Sequence, residues 1–127
     1  GGIGKSTVTS HLAAAFAMMG KQVMQIGCDP KTDSTMNLLG GQSPKPILRY
    51  LEEYGRPESV EAIAKIGFKG IVCLEVGGPT PGLGCAGRGI ITAFELLDEL
   101  GAYEIYKPDV ILYDVLGDVV CGGFAMP

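Results

Sequence analysis

The chain has 127 residues, of which 46% are hydrophobic and 19% charged, and its formal net charge is −4. This composition suits a globular domain with a core and excludes a disordered segment. Asp and Glu exceed Lys and Arg by fourteen to ten, which argues against a surface built for nucleic acid or for an anionic membrane. The twenty glycines follow no collagen period and indicate tight loops that approach a ligand.

In chain order, apolar spacing and the positions of glycine and proline predict four helices and three strands. The helices are expected at residues 6–19, 47–54, 58–66 and 88–100. The strands are expected at 22–27, 70–75 and 109–114, followed by loops at 28–35, 76–87 and 115–123. Because nearly continuous apolar strands alternate with helices, we expect one α/β domain over residues 1–127, with a parallel sheet covered on both faces.

The first helix and the chain ends carry further information. Apolar residues recur at helical spacing before Gly20, which is a typical residue after a helix end: Val8, Leu12, Ala15, Phe16 and Met19.

Glycine-rich loops stand at both ends, so we expect residues 1–127 to be an internal fragment, truncated at both ends. No stretch approaches the roughly 18 to 20 apolar residues of a membrane span, and no signal peptide is recognisable. We therefore expect a soluble, cytoplasmic protein.

The opening residues 1–7 (GGIGKST) match the second half of the phosphate-binding P-loop, G-x-x-x-x-G-K-[ST]. The glycines let backbone N–H groups turn toward a polyphosphate, Lys5 supplies positive charge at the β- and γ-phosphates, and Ser6 offers a hydroxyl to Mg²⁺. A glycine turn with a chance Lys-Ser is the alternative. The motif predicts a P-loop NTPase-type sheet that binds MgATP through Gly1, Gly2, Gly4, Lys5, Ser6 and Thr7.

Two acidic loops follow predicted strands, at the edge of an α/β sheet where ligands bind. One begins with residues 28–31 (CDPK), and the other is 114–118 (DVLGD). A D-x-x-G turn gives a carboxylate to the Mg²⁺ shell and a glycine amide that can meet a γ-phosphate. Ordinary turn carboxylates are the alternative for Asp29 and Asp33. Lys5, Asp29 and Asp118 are the expected catalytic residues, and the further nucleotide contacts are expected at Lys31, Asp33, Asp114 and Gly117.

Two of the four cysteines, Cys85 and Cys121, lie among glycines, which allow close backbone approach and N–H···S hydrogen bonds of the kind that stabilise an iron–sulfur cluster. Cys73, within an apolar strand, is expected to be a buried small hydrophobe, and Cys28 is expected to be structural. Two thiolates are half of what a [4Fe–4S] cluster needs, so a symmetric dimer would supply the other two.

Four motifs, at residues 1–7, 27–35, 77–89 and 113–127, closely resemble the nitrogenase iron protein (dinitrogenase reductase) family. The resemblance implies a homodimeric, ATP-hydrolysing oxidoreductase with one [4Fe–4S] cluster shared between subunits through Cys85 and Cys121. It implies that single electrons pass from a low-potential donor, such as ferredoxin or flavodoxin, to a larger dinitrogenase-type component. It also matches Arg88 to an arginine that some members have ADP-ribosylated, and we expect Arg88 on the docking surface for the partner.

Two alternatives remain open. Close relatives serve tetrapyrrole-reducing complexes and share the cysteine loops, and this sequence departs from the usual nitrogenase pattern at Val76 and Thr80. A partitioning-type P-loop ATPase without redox chemistry is the second alternative, although such a switch would not need the two glycine-embedded cysteines.

Overall fold

The computed structural model describes residues 3–29, 31–77 and 86–115. Of these, residues 3–6 and 86–88 are described by their backbone alone. Its helices are α1 (Ile3–Met18), α2 (Ile47–Tyr54), α3 (Ala86–Glu99) and α4 (Ala102–Tyr106). Its strands are β1 (Val23–Cys28), β2 (Lys65–Ile66), β3 (Val72–Glu75) and β4 (Val110–Val115). Short 3₁₀ turns lie at Met36–Leu38, Val60–Ala62 and Phe68–Gly70. No helix among these residues is both long and apolar enough to cross a membrane.

The four strands form one sheet in the order β2-β3-β1-β4. Strand β1 pairs in parallel with β3 and with β4, and Gly27 lies opposite Glu75 on one side and Asp114 on the other. Strand β2 pairs antiparallel with β3, so the sheet is mixed at one edge. The predicted α/β fold is confirmed, and the expectation of a parallel sheet holds for three of the four described strands.

Strand β1 is buried on both faces, as a central strand of an α/β sheet requires. Its Met24 and Ile26 pack into a core built with α2, α3 and α4, whereas Val23 packs with Ala13 and Ala17 of α1 on the opposite face. Helices therefore cover both faces of the sheet, as the alternation of helix and strand predicts.

Helix α1 differs from its prediction at its start and in the face that it buries. It begins at Ile3 rather than at residue 6. Ala13 and Ala17 face the sheet, while Val8 and Met19 of the apolar stripe are 59% and 69% exposed. Small side chains let the helix lie close to the strands, so spacing alone locates the helix but not its buried face. Gly20 follows the helix with φ +87°, a conformation that suits glycine.

The helix predicted at 58–66 is wrong. This segment forms the 3₁₀ turn Val60–Ala62 and then strand β2, whose turn into β3 is closed by a hydrogen bond from the Gly67 N–H to the carbonyl of Ile71 at 2.8 Å. Val60 and Ile63 are both buried. An i, i+3 apolar pair fits a 3₁₀ turn as well as an α-helix, which explains the wrong assignment. Helix α4 was not predicted, because five residues are too few for a periodic signal.

Candidate functional site

The carboxyl ends of three parallel strands meet at one edge of the sheet, where ligands bind in folds of this class. Three carboxylates are placed there: Asp29 directly after β1, Glu75 at the end of β3 and Asp114 near the end of β4. Their exposed fractions are 8%, 0% and 2%. Burial of a carboxylate costs free energy unless the group accepts hydrogen bonds. The donors to these carboxylates therefore show which elements are joined at this edge.

Ser34 is the centre of the hydrogen-bond network at this edge. Its hydroxyl donates to Oδ2 of Asp114 at 2.6 Å. The amide Nε2 of Gln25, in the middle of β1, donates to the carbonyl and the hydroxyl oxygens of Ser34 at 3.1 and 3.0 Å. The hydroxyl of Ser10 donates to the same carbonyl at 3.2 Å. Ser34 therefore joins helix α1, strand β1 and strand β4.

Thr35 makes the corresponding connection to β3. Its backbone N–H and its hydroxyl both donate to Oε2 of Glu75, at 2.8 and 2.7 Å. Hydrogen bonds to an ionised acceptor are the stronger kind, and two from one residue also fix its orientation. Oε1 of Glu75 and Oε1 of Gln25 accept no hydrogen bond from the described part of the chain.

Gly27 makes room for the Glu75 side chain. A Cβ built at position 27 would lie 2.2 Å from Oε1 of Glu75 and 2.6 Å from Cβ of Ser34. The carboxylate therefore lies across the bare backbone of β1 to reach Thr35, a path that any larger residue at position 27 would block.

Burial raises the pKa of Glu75 to about 6, against an ordinary value of 4.5. The two hydrogen bonds from Thr35 lower the pKa in part, and the negative charges of Asp33 and Asp114 raise it further. A carboxyl group with this pKa changes its charge close to neutral pH.

This raised pKa predicts a pH dependence of stability in the nucleotide-free protein. The folded state binds the Glu75 proton more tightly than the unfolded state does. Its contribution to the free energy of unfolding is therefore complete below pH 4.5 and is lost as pH rises through about 6. We expect Glu75 to lower the free energy of unfolding by about 1 kcal/mol between pH 5 and pH 8. Urea unfolding of Glu75→Gln should lack this component, and an identical pH slope in the variant would contradict the assignment.

The predicted residues of the first acidic loop differ in their surroundings. Asp29 is buried, and its Oδ1 accepts a hydrogen bond from the Lys31 N–H at 2.9 Å, which is the turn geometry typical of aspartate. Lys31 and Asp33 are exposed. The structure thus brings Asp29 and Asp114 to the same edge and leaves the other two side chains toward solvent.

The backbone of helix α1 shows where the residues of the P-loop motif lie. Gly4, Lys5 and Ser6 lie in its first turn, and position 6 is one turn before Ser10, which donates a hydrogen bond to Ser34 in the loop at 29–35. The N-terminal turn of a helix has unpaired N–H groups and a positive dipole end, both of which suit an anion. Thr7 is half-buried, and Gly1 and Gly2 lie outside the described residues.

Two of the four cysteines, Cys28 and Cys73, lie within the described residues. Cys28 and Cys73 are buried and are not in a disulfide. Burial raises the pKa of Cys73 to about 12, with a further contribution from Glu75, so its thiol stays protonated at neutral pH. Cys85, Cys121, Gly117 and Asp118 lie outside the described residues, and Arg88 is described only as a backbone position in the first turn of α3.

Sequence reasoning missed the buried partners of this network. Gln25, Ser34, Thr35 and Glu75 were not singled out as site residues, although a glutamine inside an apolar strand and a glutamate at a strand end are polar residues at positions expected to be buried. That mismatch between residue type and predicted burial was the available signal.

Comparison with known structures supports the fold. Cobyrinic acid a,c-diamide synthase from Mycobacterium smegmatis, solved with a bound ATP analog and magnesium, matches with a TM-score of 0.56 and 21% identity, over 90% of this chain and 46% of that one. Protein DIP2308 from Corynebacterium diphtheriae matches with a TM-score of 0.56 and 21% identity, over 94% of this chain and 51% of that one. The chain spans about half the length of these structures, which share its fold.

A family model gives the more specific result. The model described as "4Fe-4S iron sulfur cluster binding proteins, NifH/frxC family" matches residues 1–127, the whole of the sequence. Both the resemblance of the four motifs and the α/β sheet with its buried acidic edge agree with this match. The chain therefore belongs to the NifH/frxC family of 4Fe-4S iron–sulfur cluster binding proteins.

Proposed function

We propose that this chain is part of an ATP-dependent electron donor of the nitrogenase reductase type, a homodimer that passes single electrons to a larger dinitrogenase-type component. The observation that carries the proposal is the buried network at the carboxyl edge of the sheet. It joins the loop at 29–35 to the carboxyl ends of β3 and β4, and the sequence continues from these strands to Cys85 and Cys121. A nucleotide-dependent shift of the loop would therefore act on both strands.

The nucleotide is assigned to the N-terminal turn of α1. Lys5 would hold the β- and γ-phosphates and Ser6 would give its hydroxyl to Mg²⁺, next to the carboxylates that follow β1 and β4. Asp29 and Asp118 are proposed to orient the attacking water and to respond to the loss of the γ-phosphate. Cobyrinic acid a,c-diamide synthase, which shares this fold, was solved with a bound ATP analog and magnesium, and this supports nucleotide binding as the proposed role.

Cys85 and Cys121 of two subunits are proposed to hold one [4Fe–4S] cluster, which stores and releases a single electron. Cys28 and Cys73 do not fit as ligands, because both are buried and Cys73 keeps its proton. Asp118 and Cys121 are three positions apart in the predicted loop at 115–123, so a movement at the phosphate would reach a ligand directly. Arg88, three positions after Cys85, is proposed to meet a carboxylate of the electron-accepting partner, and ADP-ribosylation there would block docking.

A second candidate is the reductase component of a tetrapyrrole-reducing complex. The residues Val76 and Thr80, which depart from the usual nitrogenase pattern, favour it. The two candidates share every described contact, so they are separated by the partner: electron transfer to a dinitrogenase-type component supports the first, and transfer only to a tetrapyrrole-reducing component supports the second.

The cluster assignment is tested by iron content. We expect the full-length protein, reconstituted anaerobically, to bind about four irons per dimer, and Cys85→Ser and Cys121→Ser each to lose nearly all of them. Cys73→Ala is the matched control, because it removes a thiol from the core without touching either glycine-rich loop, and it should keep its iron. Iron analysis beside the visible absorption spectrum gives the readout. Retention of the cluster in Cys85→Ser, or in a monomer, would refute the assignment.

A further inference from the structure

Glu75 has an unusual combination of contacts for a fully buried side chain. One of its oxygens, Oε2, accepts two hydrogen bonds from Thr35, while Oε1 has no donor within the described ranges. The charges of Asp33 and Asp114 oppose its ionisation. Both described hydrogen bonds of this carboxylate therefore come from one residue of the loop that follows β1, which makes Thr35 the contact through which Glu75 acts.

The geometry of the neighbouring residues is adapted to this carboxylate. Gly27 has no side chain where a Cβ would lie 2.2 Å from Oε1, so the carboxylate can cross β1 and reach the loop. Thr35 is itself fully buried and presents both of its donors to the same oxygen. Among the described contacts, the side chain of Glu75 accepts the hydrogen bonds that join the loop at 29–35 to β3.

We infer that Glu75 is a positioning residue for the loop at 29–35: it fixes Thr35, and through it the end of this loop, against the carboxyl end of β3. This inference deepens the proposed function and depends on it for the identity of the nucleotide. Ser34 holds the same loop to α1, β1 and β4, so Glu75 completes its attachment to all three parallel strands. A loop held in this way keeps the buried Asp29 at the edge proposed for the nucleotide, and its release would uncouple nucleotide binding from β3.

Two replacements of Glu75 distinguish the effect of its hydrogen bonds from the effect of its side-chain volume. Glu75→Gln keeps an amide oxygen that can accept both bonds from Thr35, whereas Glu75→Leu fills similar space without an acceptor. Ser43→Ala is the control, because it removes a different hydroxyl bond to the loop, from Ser43 to the carbonyl of Thr32. If Glu75→Leu does not fold, Thr35→Val tests the same contact by removing only the hydroxyl.

The measurements are amide hydrogen exchange at Thr35 in the nucleotide-free full-length protein and the equilibrium affinity for MgATP. We expect Glu75→Leu to accelerate exchange at Thr35 by about 100-fold and to weaken MgATP binding by about tenfold, with Glu75→Gln and Ser43→Ala within about threefold of the wild type. Unchanged exchange and affinity in Glu75→Leu, or equal defects in Glu75→Gln, would overturn the inference. Failure of the wild type to bind MgATP would instead refute the proposed function, and the exchange data would still decide whether Glu75 holds the loop.

Discussion

Replacing Gly27 by alanine is expected to lower the free energy of unfolding by about 3 kcal/mol, a large effect for a single added methyl group. The new Cβ would overlap Oε1 of Glu75 at 2.2 Å and Cβ of Ser34 at 2.6 Å. Neither neighbour can move freely, because Glu75 is held by two hydrogen bonds from Thr35 and Ser34 is bonded to Asp114. The clash must therefore break part of the buried network, and urea unfolding of the full-length protein would measure the loss.

Gly89→Ala is the matched control for this substitution. Its Cβ would also come close to a side chain, 2.7 Å from Cδ1 of Leu48, but a leucine methyl can rotate away and alanine has the higher helix propensity. We expect a change of less than about 1 kcal/mol. The double variant Gly27→Ala, Glu75→Ala should lose less free energy of unfolding than the two single variants lose together, because removing the carboxylate removes the closest overlap. Equal stability of Gly27→Ala and Gly89→Ala would contradict the role assigned to Gly27.

The sequence predicted the fold where the local signal and the tertiary environment agree. Residues 47–54 have a proline before them and a glycine after them, and α2 occupies these bounds, with Gly55 at φ +77°. The central strand was recognised because both of its faces are buried, which leaves a nearly continuous apolar run interrupted by Gln25. Segment 58–66 was misassigned because its pairing partner is β3, and strand pairing is a tertiary contact that no local window contains.

Of the three carboxylates at this edge, Asp29 and Asp114 were singled out from the sequence, whereas Glu75 and its hydrogen-bond donor Thr35 were not. Asp29 and Asp114 were identified because carboxylates that follow apolar strands lie at the ligand-binding edge of an α/β sheet. Thr35 and Glu75 were not, since their importance comes from a contact across 40 positions of sequence. Gly27 was overlooked for the same reason: a glycine in a strand shows its purpose only when the side chain that crosses it is known.

Removing the positive charge of Lys5 is expected to have the largest effect on ligand binding. Lys5 lies in the first turn of α1, and Ser10, further along that helix, is bonded to the loop that carries Asp29. This contact places the start of the helix at the edge where the carboxyl ends of β1 and β4 meet. A lysine at this position would bring a compact positive charge to the β- and γ-phosphates, and hydrogen bonds between two charged groups are stronger than those between neutral groups. We expect Lys5→Ala to weaken MgATP binding by about 100-fold.

Lys21→Ala is the matched control for this prediction, because it removes the same charge near the opposite end of the same helix. The 16 residues of α1 separate the two ends by about 24 Å, beyond the range of direct contact with one nucleotide. Equilibrium dialysis with MgATP, beside the absorption spectrum of the reconstituted protein, distinguishes loss of nucleotide from loss of the cluster. We expect the spectrum to be unchanged in both variants and the affinity to fall only in Lys5→Ala. Equal affinities in the two variants would remove Lys5 from the phosphate site and place the nucleotide elsewhere on the sheet.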